Sequence, residues 1–290
     1  AVTIEAEVPG SVVLDGGGER RVISISSSGD ATLVGLTITG GYTTDDGGAI
    51  SVNGGSAALH TCMLASNKAG DWGGAISNKD GGMMVLHNCE IATNEAGRWG
   101  GAIYNYNSTM EMQKCTIATN KAEWGGAIFN QYGTMELHNC AIATNEAGFG
   151  GGGISNERGA MKLHTCTLAT NKATTSDGGA IRNQRGTMEL HACTLTTNKA
   201  ANGGSINNLG GTMELHNCKL ATNEATVAVG GAIFNEQRAT MKLYTCTLAS
   251  NRAVKDGGAI FNDQNDIIEL HTTFLIDNEA EDDCGAIKNH

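Results

Sequence analysis

A four-residue motif constrains this chain more than any other feature in it. Gly-Gly-Ala-Ile stands at 47–50, 73–76, 100–103, 125–128, 178–181, 230–233 and 257–260, with near-copies at 151–154, 203–206 and 284–287. The ten isoleucines are spaced 25 to 27 residues apart. One such glycine-rich turn would suit an anion if a helix began behind it and offered its N-terminal amides. No helical periodicity follows any copy. A motif used ten times at one spacing is architecture, and a period of about 20–50 residues marks a repeat protein.

Residues 125–149 illustrate one unit. Met135, Glu136, Leu137 and His138 alternate apolar and polar, which is the period of a strand. Asn139 breaks that phase, Cys140 and Ile142 resume it, and 127–129 makes another short strand. The expected fold is all-β: a single-stranded parallel β-helix, or solenoid, with three short strands per coil and about ten coils of 25–27 residues. Each strand would stack on its equivalent about 4.8 Å away. Parallel crossovers are right-handed, so a right-handed helix is expected. Residues 1–46 read as an N-terminal cap with the first atypical coils, and residues 47–290 as the regular repeats.

The columns support this fold. Ile, Met-x-Leu and Cys-x-Leu/Ile recur as the interior stack. Asn recurs in two columns, one holding Asn78, Asn105, Asn130 and Asn156, the other running from Asn67 to Asn278. Asn tolerates left-handed backbone and bonds local amides, so both columns are expected at corners. There the stacked amides would bond one another. The glycine pair supplies positive φ at a further corner.

These units resemble the GGAI and FxxN repeats of the polymorphic outer membrane protein family, within the pectin-lyase-like β-helix superfamily. The second motif here ends in Leu64-Ala65-Ser66-Asn67, Ile91-Ala92-Thr93-Asn94 or Ile142-Ala143-Thr144-Asn145, with Leu or Ile where that family has Phe. Residues 14–41 resemble the first coils of adhesin-type β-helices. The resemblance covers nearly the whole chain. It implies a secreted or cell-surface protein, often adhesive.

Cys62, Cys89, Cys115, Cys140, Cys166, Cys193, Cys218 and Cys246 share one column, and Cys284 replaces a corner glycine. Stacked side chains pointing in parallel fit disulfide geometry poorly. A closed metal site needs four converging ligands. Buried free thiols acting as small apolar residues are therefore expected. A second column holds His60, His87, His138, His164, His191, His216 and His271, facing outward beside glutamates. Such a grid suits a transition metal or a pH response. The favoured reading is a solvated polar face, with no metal ligand and no cofactor assigned. After the second Asn column, Lys and Glu mostly alternate, which favours the stacking register.

A net charge of -11 speaks against nucleic acid as a partner. No run of about 18 apolar residues is present, so no transmembrane segment is expected. The chain opens at Ala1 without a charged-then-apolar leader, so no signal peptide is expected within it. Asn107 begins the one N-glycosylation sequon, on a corner loop, which suits an extracellular setting.

Coil length varies mainly between the second Asn column and the glycine pair, and on a solenoid such variation marks a binding edge. That corner carries Trp72, Trp99, Trp124 and Phe149, with Tyr104, Tyr106, Phe129 and Tyr132 in the neighbouring column. Exposed aromatics hold sugar rings or protein hot spots. The acidic loop residues are scattered, and an active site would break so uniform a pattern in one place. The expected function is thus a non-enzymatic extracellular structural or adhesive scaffold. It would bind other protein subunits or surface glycans through the aromatic corner, as part of a larger assembly. The C-terminal end would be covered by a partner or by further chain. Two alternatives stand beside it: a polysaccharide-binding or polysaccharide-degrading pectin-lyase-like protein, and an ice-binding solenoid built on the Ser66 to Ser250 hydroxyl column.

Overall fold

The computed structural model describes residues 1–290, and its strands form one parallel β-solenoid without α-helix. No helix long and apolar enough to cross a membrane exists. One coil runs through Thr134–His138, Ala141–Ala143, Glu146–Gly150 and Ile154–Glu157. Each regular coil therefore has four strands, not the expected three. The extra strand follows the Asn67 column and is mostly two residues long, as in Lys68–Ala69. A dipeptide is too short to show an alternation in sequence.

The strands stack into four parallel sheets, three of eleven strands and one of ten, with successive coils always adjacent. The solenoid thus has eleven coils rather than ten. The first lies in the region expected to hold atypical coils: Val2–Glu5, Val12–Asp15 and Ile23–Ile25 pair in register with the second coil. It lacks the glycine motif by which coils are recognised in sequence. Residues 1–46 accordingly join the same sheets as the repeats.

The interior is one continuous cluster of 54 buried residues running from Ala6 to Ile260. Within the coil quoted above, Met135 and Leu137 point inward from the first sheet, Ile142 from the second, Ala147 from the third and Ile154 from the fourth. The expected columns are therefore the core columns. The eight cysteines of their column are buried and unpaired, and only Cys284 is partly exposed. Each column thiol donates to two backbone carbonyls, as Cys89 does to Leu59 and His87 at 3.4 and 3.5 Å. Burial shuts the whole column off from solvent, with 3% exposure or less at each of the eight thiols. A disulfide-exchange reagent such as Ellman's should therefore label only Cys284 in the folded chain, and all nine cysteines in denaturant. Rapid labelling of several thiols under native conditions would show that the core column is accessible.

The asparagines differ in place from the expectation. The Asn78 column lies within the fourth-sheet strands, such as Ile76–Lys79, and points into the core. The Asn67 column is also buried, and the residue before it turns the corner: Ser66, Thr93, Thr119 and Thr144 have φ of 57°, 56°, 59° and 58°. The asparagine side chain is needed inward to satisfy corner amides, so its neighbour takes the left-handed turn. Asn78 Nδ2 donates to Asn105 Oδ1 at 2.8 Å, and this ladder continues through Asn130 and Asn156 to Asn289. A second ladder links Asn67 to Asn278 rung by rung.

At the glycine pair the two residues do different work. Gly125 has φ of +61°, which strains any L side chain. Gly126 is packed so tightly that an added Cβ would meet the carbonyl oxygen of Gly152 at 2.3 Å. Beside the second ladder, Lys68 pairs with Glu95 at 2.9 Å, Lys121 with Glu146 at 3.4 Å and Lys199 with Glu224 at 2.7 Å. Lys172 and Lys199 instead face each other in register.

Candidate functional site

The aromatic corner is built by the segment that joins the third and fourth strands of each coil. Trp72, Trp99 and Trp124 all precede a glycine pair, and backbone bridges hold them in register with one another. Gly73 N–H donates to Trp99 C=O at 2.8 Å, and Gly100 N–H to Trp124 C=O at 2.9 Å. The indoles are thereby fixed by the same ladder that builds the rod. Phe149 is offset, because its coil has one residue more: Trp124 is opposite Gly150, and the register shifts between Ala122 and Trp124. Its ring still stacks on Trp124, with centroids 5.3 Å apart.

The rings face along the axis and cover one another. Trp72 and Trp99 stack at 5.4 Å and 9°, and Trp99 stacks on Phe129 at 5.2 Å and 14°. Both faces of Trp99 are therefore occupied by protein. Tyr104 and Phe129 are buried beneath the indoles. Burial pushes the Tyr104 phenol above its usual range, and its hydroxyl donates to Gln131 Oε1 at 3.0 Å. Tyr106 extends the cluster, and Tyr132 meets it edge-on at 6.1 Å and 86°. The structure thus brings six of the eight residues into one group, with Trp124 and Phe149 as an adjoining pair. Tyr132 and Phe149 are the most exposed, at 46% and 44%.

A cleft of 370 Å³ opens along this group, lined by Trp72, Lys79, Asp80, Trp99, Tyr104, Tyr106 and Gln131. Trp72 Nε1 is buried in its wall and donates to no protein acceptor. A buried donor without an acceptor costs about 1–3 kcal/mol, a cost the packing of the stacked rings must offset. A smaller hollow of 140 Å³ lies between Trp99, Trp124, Phe129, Glu157, Arg182 and Gln184. Arg182 covers the open face of Trp124, its guanidinium carbon 4.7 Å from the ring centre.

Sequence reasoning missed Asp46. Its carboxylate is buried, accepts from Ser77 Oγ at 3.1 Å, and pairs with Lys79 at 2.5 Å and Arg21 at 3.3 Å. Asp46 bridges to Trp72 and so begins the tryptophan column. The signal was available, since Asp46 precedes a glycine pair as each tryptophan does. Asn107 is exposed at a corner with φ of 46°, while Ser108 is buried and accepts from the Gly82 amide at 3.0 Å.

No protein family, curated protein or solved structure matches this chain. The functional reading therefore rests on the geometry just described.

Proposed function

We propose that this solenoid is a non-enzymatic extracellular scaffold that makes adhesive contact through the aromatic corner. The observation that carries the reading is the corner itself: a rigid aromatic row, locked by the ladder of the rod, beside a cleft lined by Lys79, Asp80 and Gln131. Rigid aromatic anchors give contact area at small entropic cost. The repeat resemblance to surface-displayed β-helices supports the same setting.

The stacking refines the choice of partner. A pyranose ring packs its C–H face on an open aromatic face, and here Trp99 offers only an edge. Ring edges, the exposed Tyr132 and Phe149, and polar groups of the cleft suit a protein partner better.

The test is intrinsic tryptophan fluorescence against a panel of soluble polysaccharides and of cell-surface proteins, since every Trp lies in the corner. A saturable change with a protein, weakened by Tyr132→Ala and Phe149→Ala, is the expected result. These two side chains are exposed, so their removal leaves the core intact. A saturable change with a glycan instead would make the corner a carbohydrate site. Release of sugar fragments from any polysaccharide would overturn the non-enzymatic reading.

A further inference from the structure

On the outer face of the first sheet, away from the aromatic corner, two columns run side by side. His138, His164, His191 and His216 stack with centroids 4.7 to 4.9 Å apart and tilts of 5° to 8°. The adjacent column carries glutamates and lysines. Glu189 has Lys162 at 3.2 Å, and Glu214 and Glu269 have Lys242 at 3.8 and 3.9 Å. Glu136 is different. Its Oε1 lies 3.0 Å from His138 Nε2 and 3.6 Å from His164 Nε2, and no lysine is paired with it. Its neighbour on one side, Lys162, is engaged by Glu189. Its neighbour on the other side is a second carboxylate, Glu111.

The three donor atoms of Glu136, His138 and His164 all lie within 4.8 Å of one another. A tetrahedral ion with ligand bonds of about 2.0–2.1 Å requires donors about 3.3 Å apart. The two Glu–His separations bracket that value. The His–His separation, within 4.8 Å, must close by rotation of two stacked rings that are 31% and 32% exposed.

We propose that Glu136, His138 and His164 form a surface site for one divalent transition ion of the Zn2+ type. Two imidazoles and one carboxylate suit that chemistry. The strands Thr134–His138 and Ala160–His164 pair in register, so the sheet sets the spacing of the ligands. The ion takes both Nε2 lone pairs, leaving each ring proton on Nδ1. The bound charge also relieves the repulsion between Glu136 and Glu111. The fourth position faces solvent. Rungs where a lysine sits beside the glutamate already hold a cation there. The site is independent of the corner proposed for adhesion.

The experiment titrates Co2+ into the full chain and follows its visible absorption, then displaces it with Zn2+. One equivalent should bind with weak visible bands of nitrogen and oxygen ligation. Glu136→Gln and His164→Gln should each weaken Zn2+ binding about tenfold or more. Glu214→Gln and His216→Gln, beside Lys242, should leave it unchanged. All four positions face outward, so unchanged circular dichroism and melting will confirm that each variant is folded. Absence of visible bands would overturn the site, as would affinity unchanged in Glu136→Gln. Intense near-ultraviolet bands of thiolate ligation, or equal weakening by His216→Gln, would also overturn it.

Discussion

Asn145→Ala should be among the most damaging single substitutions in this chain, costing about 3–5 kcal/mol in urea or thermal unfolding. Asn145 is buried in the middle of the second ladder. Its Nδ2 donates to Ile117 O, Ala143 O and Asn171 Oδ1, each at 3.0 Å. Its Oδ1 accepts the Asn120 amide at 2.9 Å and Asn120 Nδ2 at 3.0 Å. Alanine leaves the buried Asn120 amide without its acceptor, at about 1–3 kcal/mol, and removes one bond each from Asn120 Nδ2, Ile117 O, Ala143 O and Asn171 Oδ1, at about 0.5–1.5 kcal/mol apiece. The stability of a solenoid is roughly a sum over coils and their interfaces. A break at mid-rod should therefore also split one unfolding transition into two. A loss below about 1 kcal/mol would show that water replaces the ladder. Asn145→Asp adds a pH signature. A carboxyl buried there has its pKa raised above the unfolded value of about 3.9. The variant then keeps its stability below about pH 3.9 and loses it as pH rises through the folded value.

Gly126→Ala should cost about 3 kcal/mol or more, although Gly126 needs no unusual backbone angle. The added Cβ would meet Gly152 O at 2.3 Å and the backbone C and O of Glu146 at 2.6 Å. These are main-chain atoms and cannot rotate away, so two coils must part locally and weaken their ladder. Overpacking of this kind typically costs about 1–3 kcal/mol, and a backbone obstacle puts it at the top of that range. Gly148→Ala, one coil on, is the control. Its Cβ finds nothing nearer than 3.6 Å, so the change should be neutral or stabilising by up to about 1 kcal/mol. Equal melting temperatures for Gly126→Ala and the parent chain would sink the close-approach argument.

The core was legible because each coil repeats the same inward residues. Ile128, Met135, Leu137, Cys140 and Ile142 occupy the expected interior in a single buried cluster. The fourth strand was hidden because Lys68–Ala69 and its equivalents carry too few residues to display a period. The first coils were legible as atypical, and Ile23 stacks on Ile50 without a Gly-Gly-Ala-Ile motif beside it. For the asparagines, the amino-acid type told of stacked amides that bond one another, but not that both columns would be buried. It did not tell that threonine and serine would take the left-handed corners, which β-branched residues ordinarily avoid. The aromatic corner was legible as a position. Which way its rings face was not, because a spacing of one coil is compatible with faces turned outward or onto one another. The distinct environment of Glu136 was likewise invisible. It depends on Lys162 leaning toward Glu189, a choice of rotamer and not of residue type.

The alternating charges beside the second ladder carry a further consequence. Coils of nearly equal sequence could be gained or lost in any number if packing alone mattered. Alternation imposes parity: inserting one coil sets like charges against each other, whereas inserting two does not. From Lys68 to Glu279 the parity fails once, where Lys172 faces Lys199. Removing the single coil between them would set Lys199 against Glu146 and restore the alternation from end to end. That rung is the one place in the column where the charges do not fix how many coils the rod must have.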